Sequence, residues 1–344
     1  MATADYLSSA DLLAVARGGG INEDVMQQIW DISKIPLPFT DLIGSDTHMN
    51  EYTSWLEDSL AAPNVANAAV DGADVTAWNN APPGPRVGNH SQISIKSVSV
   101  TERASNSSAI GGNALAYQIM QRQQELRRDI EAIMLTGQAS LADNGDTIAG
   151  LSGGLASWIK THYSVGATGA IGGYSTSTGL TVTPTIGTAR AGSETTLRDL
   201  LQAVYQDGGN TTVLMSNPSV IRRFSEYLFT ATARVATMMT DVGQAKTMSV
   251  AKGAVQEFVS DFGVVVELNA NRLQPLRDAT HAYMYLLDPG YLDLSFLKGV
   301  NVEPLAKTGT ADKRLMSGDW TLKVRNEKAQ GLYADINPAS AWVA

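Results

Sequence analysis

Gly150-Leu151-Ser152-Gly153-Gly154 is the stretch of this sequence whose residue types and spacing match a catalytic motif. It fits G-x-S-x-G, in which small flanking residues let a serine hydroxyl stand clear of a sharp turn as a nucleophile. That chemistry needs a buried strand before the serine, a helix after it, and a histidine with an acid partner elsewhere. The preceding residues, LADNGDTIA, are turn formers, and His281 is the only plausible downstream base, without an evident acid beside it. A flexible glycine turn is the better reading of Ser152.

Other chemistry-bearing residues are sparse. His48, His90, His162 and His281 are scattered, with no pair three or four apart, and the chain has no cysteine. Zinc and haem ligand sets, thiolate nucleophiles and disulfides are therefore not expected. The acidic neighbours Glu23/Asp24 and Glu57/Asp58 read as solvated or interface charge. Phosphate-binding loops, dinucleotide fingerprints, zinc-protease helices and calcium loops have no match. Arg127-Arg128 and Arg222-Arg223 are too few to track a phosphate backbone, and suit subunit contacts or helix-surface charge. Glycosylation sequons at Asn89, Asn106 and Asn210 carry no meaning without secretion, and the N-terminus has no basic start followed by an apolar block. No catalytic, metal or cofactor residue is expected.

The elements that would position any site come next. With 344 residues, 44% hydrophobic and 17% charged, the chain can bury a real core as two domains or one elaborated one. No apolar run approaches the ~20 residues that span a bilayer, so a cytosolic product is expected. The net charge of −9 is uneven: residues 1–75 hold twelve acids and two bases, leaving the remainder near neutral. Such an acidic segment suits either a complementary surface on a partner or a solvated, solubilising role.

Residues 1–50 read as an arm, broken by Gly18-Gly19-Gly20 and by Pro36-Leu37-Pro38. Its apolar residues, among them Ile29, Trp30, Ile35, Phe39 and Ile43, need a cover, and a neighbouring subunit is one candidate. Residues 51–58 and 92–102 read as strands, the second alternating apolar and polar with one phase slip after Lys96. The polar, Ala/Pro/Gly/Asn-rich residues 60–90 between them make a projecting hairpin. Residues 114–136 lack Gly and Pro and place Leu115, Ile119, Leu126, Ile130 and Ile133 on one face, with Asn113 as N-cap. A helix of that length spans about 35 Å. Arg127 and Glu131 stand one turn apart on it, spaced for an ion pair.

Residues 138–194, rich in Gly, Ser, Thr and Ala, read as a surface excursion with one short element near 155–160. Beyond them come a helix around 197–204, a strand at 211–215, and a helix opened by Asn217-Pro218. Strands are expected at 255–260 and 264–268 around Asp261-Phe262-Gly263, then at 283–287, 292–296, 300–305, 320–325 and 331–336.

The order of these parts resembles the Hong Kong 97-type fold of tailed-phage major capsid proteins. The motifs that carry the resemblance are spread over nearly the whole chain. They are Trp55 with Glu57-Asp58, Asn89 and Gln92-Ile93 leading into Val98-Ser99-Val100-Thr101, and Tyr117-Gln118. Next come Glu125-Leu126-Arg127-Arg128-Asp129-Ile130-Glu131 and Trp158-Ile159. Asp261-Phe262-Gly263, Leu305-Ala306-Lys307-Thr308-Gly309 and Leu322-Lys323-Val324-Arg325-Asn326-Glu327-Lys328-Ala329 close the set. Each is weak singly, and the ordered set is specific.

The resemblance implies an α+β chain divided into an N-arm (1–50), an extended two-stranded loop (51–110), a peripheral domain with a spine helix (111–194), an axial domain (195–296) and returning peripheral strands (297–344). It implies a non-enzymatic subunit that self-assembles as hexamers and pentamers into an icosahedral head around the phage genome. Its implied partners are further copies of itself, a portal protein at one vertex, and a scaffold and a decoration or cement protein, with no membrane and no sequence-specific nucleic acid. Assembly would take place in the host cytoplasm, and the product would be part of the virion. Some relatives join subunits through a loop lysine, but residues 60–92 contain none, and Arg86 cannot serve as an amine nucleophile. The rival readings are an encapsulin-like shell, a tail or sheath protein, and a serine hydrolase at Ser152.

Overall fold

The Gly- and Pro-free stretch forms the helix its periodicity predicts, Ala114–Met134, hereafter the spine helix. The structure is a computed structural model that describes residues 36–72, 74, 78, 84–106, 114–230, 257–307 and 309–343. Leu126, Ile130 and Met134 are buried on its inner face, while Leu115, Ile119 and Ile133 pack from the rim. Asn113, the expected cap, lies outside the described residues.

In chain order the strands are β1 (Gly44–Thr47), β2 (Tyr52–Leu56), β3 (Arg86–His90), β4 (Gln92–Thr101), β5 (Tyr163–Ser164), β6 (Gly173–Ser175) and β7 (Leu180–Val182). They continue as β8 (Val213–Ser216), β9 (Glu257–Val259), β10 (Val265–Ala270), β11 (Ala282–Leu287), β12 (Leu292–Pro304), β13 (Ala311–Val324) and β14 (Gly331–Ile336). A four-stranded sheet, β1-β12-β13-β4, lies under the spine helix. A six-stranded sheet has the order β5-β14-β11-β8-β10-β9, and the pairs β2-β3 and β6-β7 stand as separate hairpins.

The phase slip in β4 belongs to the sequence and not to the strand. Its register against β13 runs unbroken from Gln92↔Trp320 to Thr101↔Ala311. Side chains alternate across a strand, so Ile93 and Ile95, each 61% exposed, face outward while Val98 and Val100 face the core.

The central strands of the six-stranded sheet, β8, β11 and β14, are buried on both faces. Met215, Tyr285 and Leu332 point into the core beneath the spine helix. Their neighbours Leu214, Leu286 and Tyr333 point into a second core, closed by the helices Glu194–Gln206 and Pro218–Thr230. At the start of the second helix, the Asn217 side chain accepts the Ser219 N–H at 3.1 Å, the cap its sequence suggests. The turn between β9 and β10 holds Gly263 at φ +78°, a conformation that favours glycine.

Several expectations need correction. The strands expected at 292–296 and 300–305 are one strand, β12, whose irregularities fall around Lys298. The strand expected at 320–325 begins far earlier, at Ala311. β12 also crosses residue 296, and β14 pairs with β11, so residues 297–344 contribute to both sheets. The stretch 138–194 is no loose excursion. Its helix Leu155–Trp158 is buried at every position, and a Cβ at Gly154 would collide with the carbonyl of Thr136. Most of its glycines, those of the exposed turn at 141–149 and of the β6-β7 turn apart, supply clearance rather than flexibility. Phe39 and Ile43, expected to need a neighbour's cover, sit in the main core of their own chain. Ile29, Trp30 and Ile35 lie outside the described residues.

Candidate functional site

Ser152 is 1% exposed. Its hydroxyl lies 3.3 Å from Asn89 Nδ2 and 3.2 Å from Thr321 Oγ1, and accepts the Leu322 N–H at 3.2 Å. No histidine bonds to it among the described residues. His281 is engaged by Asp278 at 2.7 Å and by the Gly187 carbonyl. The glycines around Ser152 therefore build a packing joint that ties β3 to β13. Asn89 is its hub: fully buried, it donates to the Gly153 and Leu322 carbonyls and accepts from the Gly153 N–H. A buried amide with these partners leaves no room for a glycan. Among the described residues no group of three or more His, Asp or Glu side chains could hold a metal ion.

The geometry concentrates elsewhere, where the β2-β3 hairpin leaves the body. The hairpin pairs Tyr52 with His90 through to Leu56 with Arg86. Trp55 packs on Trp158 (ring centroids 5.4 Å apart), and Trp158 stacks flat on Tyr174 at 5.6 Å. Tyr52 and Tyr174 share a 2.8 Å hydroxyl–hydroxyl bond, and burial with that bond pushes the Tyr52 phenol up. Close approach excludes side chains at two positions: a Cβ at Gly88 would strike the Tyr52 ring, and one at Gly84 would strike the Glu57 carbonyl. Glu57 closes the ladder with its N–H on the Pro85 carbonyl at 3.0 Å. Its carboxyl, expected to be solvated or interface charge, is half-buried. Burial first, and the Glu327 carboxylate second, push it up to about 7.

Beyond this root, described loop residues stand in solvent. Leu60 is 99% and Trp78 81% exposed, and Leu56, Val65 and Val70 are exposed as well. Full burial of such side chains is worth roughly 1.5–3 kcal/mol each, and exposed apolar groups held together on one projecting element mark an interaction surface.

Glu131 marks a second junction. It is fully buried and accepts the N–H groups of Phe39 and Thr40, both at 3.3 Å, and Asn271 Nδ2 at 2.7 Å. The ion pair expected with Arg127 is not formed, because the carboxylate turns inward to these donors. Burial pushes its carboxyl up, against the pull of the hydrogen bonds. The basic pairs divide. Arg222 and Arg223 share Glu226 on their own helix, whereas Arg127 is exposed and makes no ion pair among the described residues.

Sequence reasoning missed the Trp55–Trp158–Tyr174 stack, the Asn89 hub and the inward turn of Glu131. Trp158 and Tyr174, large aromatic residues inside a Gly/Ser/Thr-rich stretch, were the signal available for the first.

A spine helix laid over one sheet, a projecting hairpin and a two-faced sheet shared with a second helical layer define the Hong Kong 97-type capsid fold. Solved structures with this fold align over nearly the whole chain. They include the capsid of a native GTA particle (13% identity, TM-score 0.62, 96% of this chain and 99% of that one) and a Mycobacterium phage Bobi chain (13%, 0.55, 97% and 99%). The holo-SrpI encapsulin complex of Synechococcus elongatus aligns too (12%, 0.55, 95% and 97%). The SU10 major capsid protein family matches residues 7–337, and the chain belongs to that family. The major capsid protein of Escherichia phage Phieco32 is 33% identical over 103 residues, 30% of this chain. That match spans 29% of the relative's own length.

Proposed function

We propose that this chain is the main building block of a tailed-phage head, assembling as hexamers and pentamers into an icosahedral shell around the genome and catalysing no reaction. The exposed apolar residues of the loop carry the reading: Leu60, Val65, Val70 and Trp78 have no cover from the described residues of their own chain. A neighbouring copy in a closed shell would supply it. The burial of Ser152 in a packing joint supports the non-enzymatic reading.

In this proposal residues 1–50 are the arm, 51–110 the extended loop, 111–194 and 297–344 the peripheral domain, and 195–296 the axial domain, with β12 running across the last boundary and β14 lent to the sheet of β8 and β11. The shell is closed by a portal protein at one vertex and built with a scaffold and a decoration or cement protein. Assembly takes place in the host cytoplasm. Electron microscopy of the purified protein tests the core of the reading. Closed shells are expected; tubes or monomers under assembly conditions would overturn it. Shells that load a protein cargo in place of nucleic acid would favour an encapsulin-like compartment.

A further inference from the structure

The Glu57 carboxyl sits where the extended loop joins the body, and its Oε1 is buried with no hydrogen-bond partner among the described residues. Its neighbour across the joint is Glu327, whose own oxygens are occupied. One accepts the N–H groups of Lys160 (3.0 Å) and Thr161 (3.1 Å), the other the Thr161 hydroxyl. Glu327 therefore stays put, while Glu57 Oε1 has no donor among the described residues and Lys328 alone favours its charged form. Buried or half-buried carboxylates without donors favour the neutral form, and a second carboxylate close by strengthens that preference.

We propose that Glu57 and Glu327 form a proton-gated seat for the root of the loop: neutral Glu57 lets the β2-β3 hairpin stay seated on the body, and ionised Glu57 is repelled by Glu327 and loosens it. The proposal rests on the reading of residues 51–110 as an extended loop. The clamp itself is built from the aromatic stack, the Tyr52–Tyr174 bond and the Glu57 N–H to Pro85 contact. The proton decides whether the last rung closes.

Charged and titratable groups around the seat are few. From the Glu327–Ala329 turn come Glu327 and Lys328, the latter favouring ionised Glu57. Lys160 lays its aliphatic stem against Gly173. On β3, Arg86 is turned onto the Ser54 hydroxyl at 2.6 Å, and Asp58, the next residue in the chain, is exposed. His162 interacts with Glu327 and Lys328, but burial favours its neutral form.

The sign follows from linkage. The seated state keeps a proton that the released state loses near pH 4.5, and it holds that proton up to about pH 7. Raising the pH through this window favours release, and above it the seat is at its weakest. Each pKa unit is about tenfold in an equilibrium, and partial exposure screens the repulsion, so we expect about tenfold between the two ends.

Hydrogen exchange of the full-length unassembled protein at pH 5 and pH 8, corrected for intrinsic rates, reads the β2-β3 ladder directly. The wild type should lose about tenfold protection in Tyr52–Leu56 and Arg86–His90 at pH 8. Glu57→Gln should keep the pH 5 protection at both values, and Glu327→Gln should shrink the pH dependence. Tyr52→Phe should loosen the ladder equally at both, confirming that the readout senses the root. Equal protection of the wild type at the two pH values would overturn the proposal. So would a Glu57→Gln protein, or a Glu327→Gln protein should the first not fold, that keeps the full wild-type pH dependence. Electron microscopy of the same preparations reports separately on shell formation.

Discussion

Replacing Glu131 by alanine tests the junction at which residues 39 and 40 meet the spine helix. Three donors lose their acceptor: the N–H groups of Phe39 and Thr40, and Asn271 Nδ2. Thr40 is half-buried and its N–H can turn to water, but Phe39 and Asn271 are fully buried. An abandoned buried donor costs about 1–3 kcal/mol, so two cost about 2–6 kcal/mol. Relief of the carboxylate's own desolvation offsets part of this, and the expected net loss is about 2–4 kcal/mol. That is a large fraction of the roughly 5–15 kcal/mol typical of a folded chain. Urea unfolding of the unassembled protein measures it. Glu131→Gln keeps one oxygen, which in the place of Oε1 serves the two fully buried donors, Phe39 N–H and Asn271 Nδ2, and should recover at least half of the loss. The pH dependence has a definite sign. Burial raises the folded-state value, so the site's contribution is fully present below the ordinary carboxyl range and is lost as pH rises through the folded-state value. Glu131→Gln should flatten that slope. An alanine variant that loses less than about 1 kcal/mol would show that the buried donors find other partners, and the reasoning would fail.

Deleting residues 1–35 should leave a folded protein that cannot close shells, scored by circular dichroism and electron microscopy; normal shells would contradict the arm reading. Extending the deletion to residue 45 removes Phe39, which is 0% exposed, and should cost a further ~3–5 kcal/mol in urea unfolding. Denaturing electrophoresis of assembled particles should show one band near 36.5 kDa, because residues 60–92 offer no lysine for cross-linking; a covalent ladder would refute this. Arg127→Glu with Arg128→Glu should block assembly, measured by sedimentation, while the subunit stays folded. Unchanged assembly would show that this exposed charge meets no partner.

The spine helix was legible because twenty-odd residues without Gly or Pro repeat their apolar positions at helical spacing, a signal that needs no distant contact. The turn at Asp261-Phe262-Gly263 and the bounds of β14 were legible for the same local reasons. Glu131 was not. Helical spacing pairs it with Arg127, and only the fold brings the unpaired donors of residues 39 and 40 to its other side. The stretch 138–194 misled for a related reason. Small residues there mean crowding, as at Gly154, yet in a linear sequence crowding and slackness share one composition. The root of the loop joins Trp55, Trp158 and Tyr174, residues too far apart in sequence for any periodicity to connect. At Ser152 the motif was visible in the sequence, whereas the partners that occupy its hydroxyl, Asn89, Thr321 and Leu322, come from distant strands and were not.

The six-stranded sheet serves as a party wall. Because β8, β11 and β14 give alternate side chains to opposite cores, neither lobe owns a boundary it could keep if the other came apart. A push on one lobe must pass through that wall into the spine-helix side instead of being absorbed at a slip plane between them. Strain arriving from outside then has few places to go within the body. It collects where thin elements leave it, at the narrow neck formed by β2 and β3.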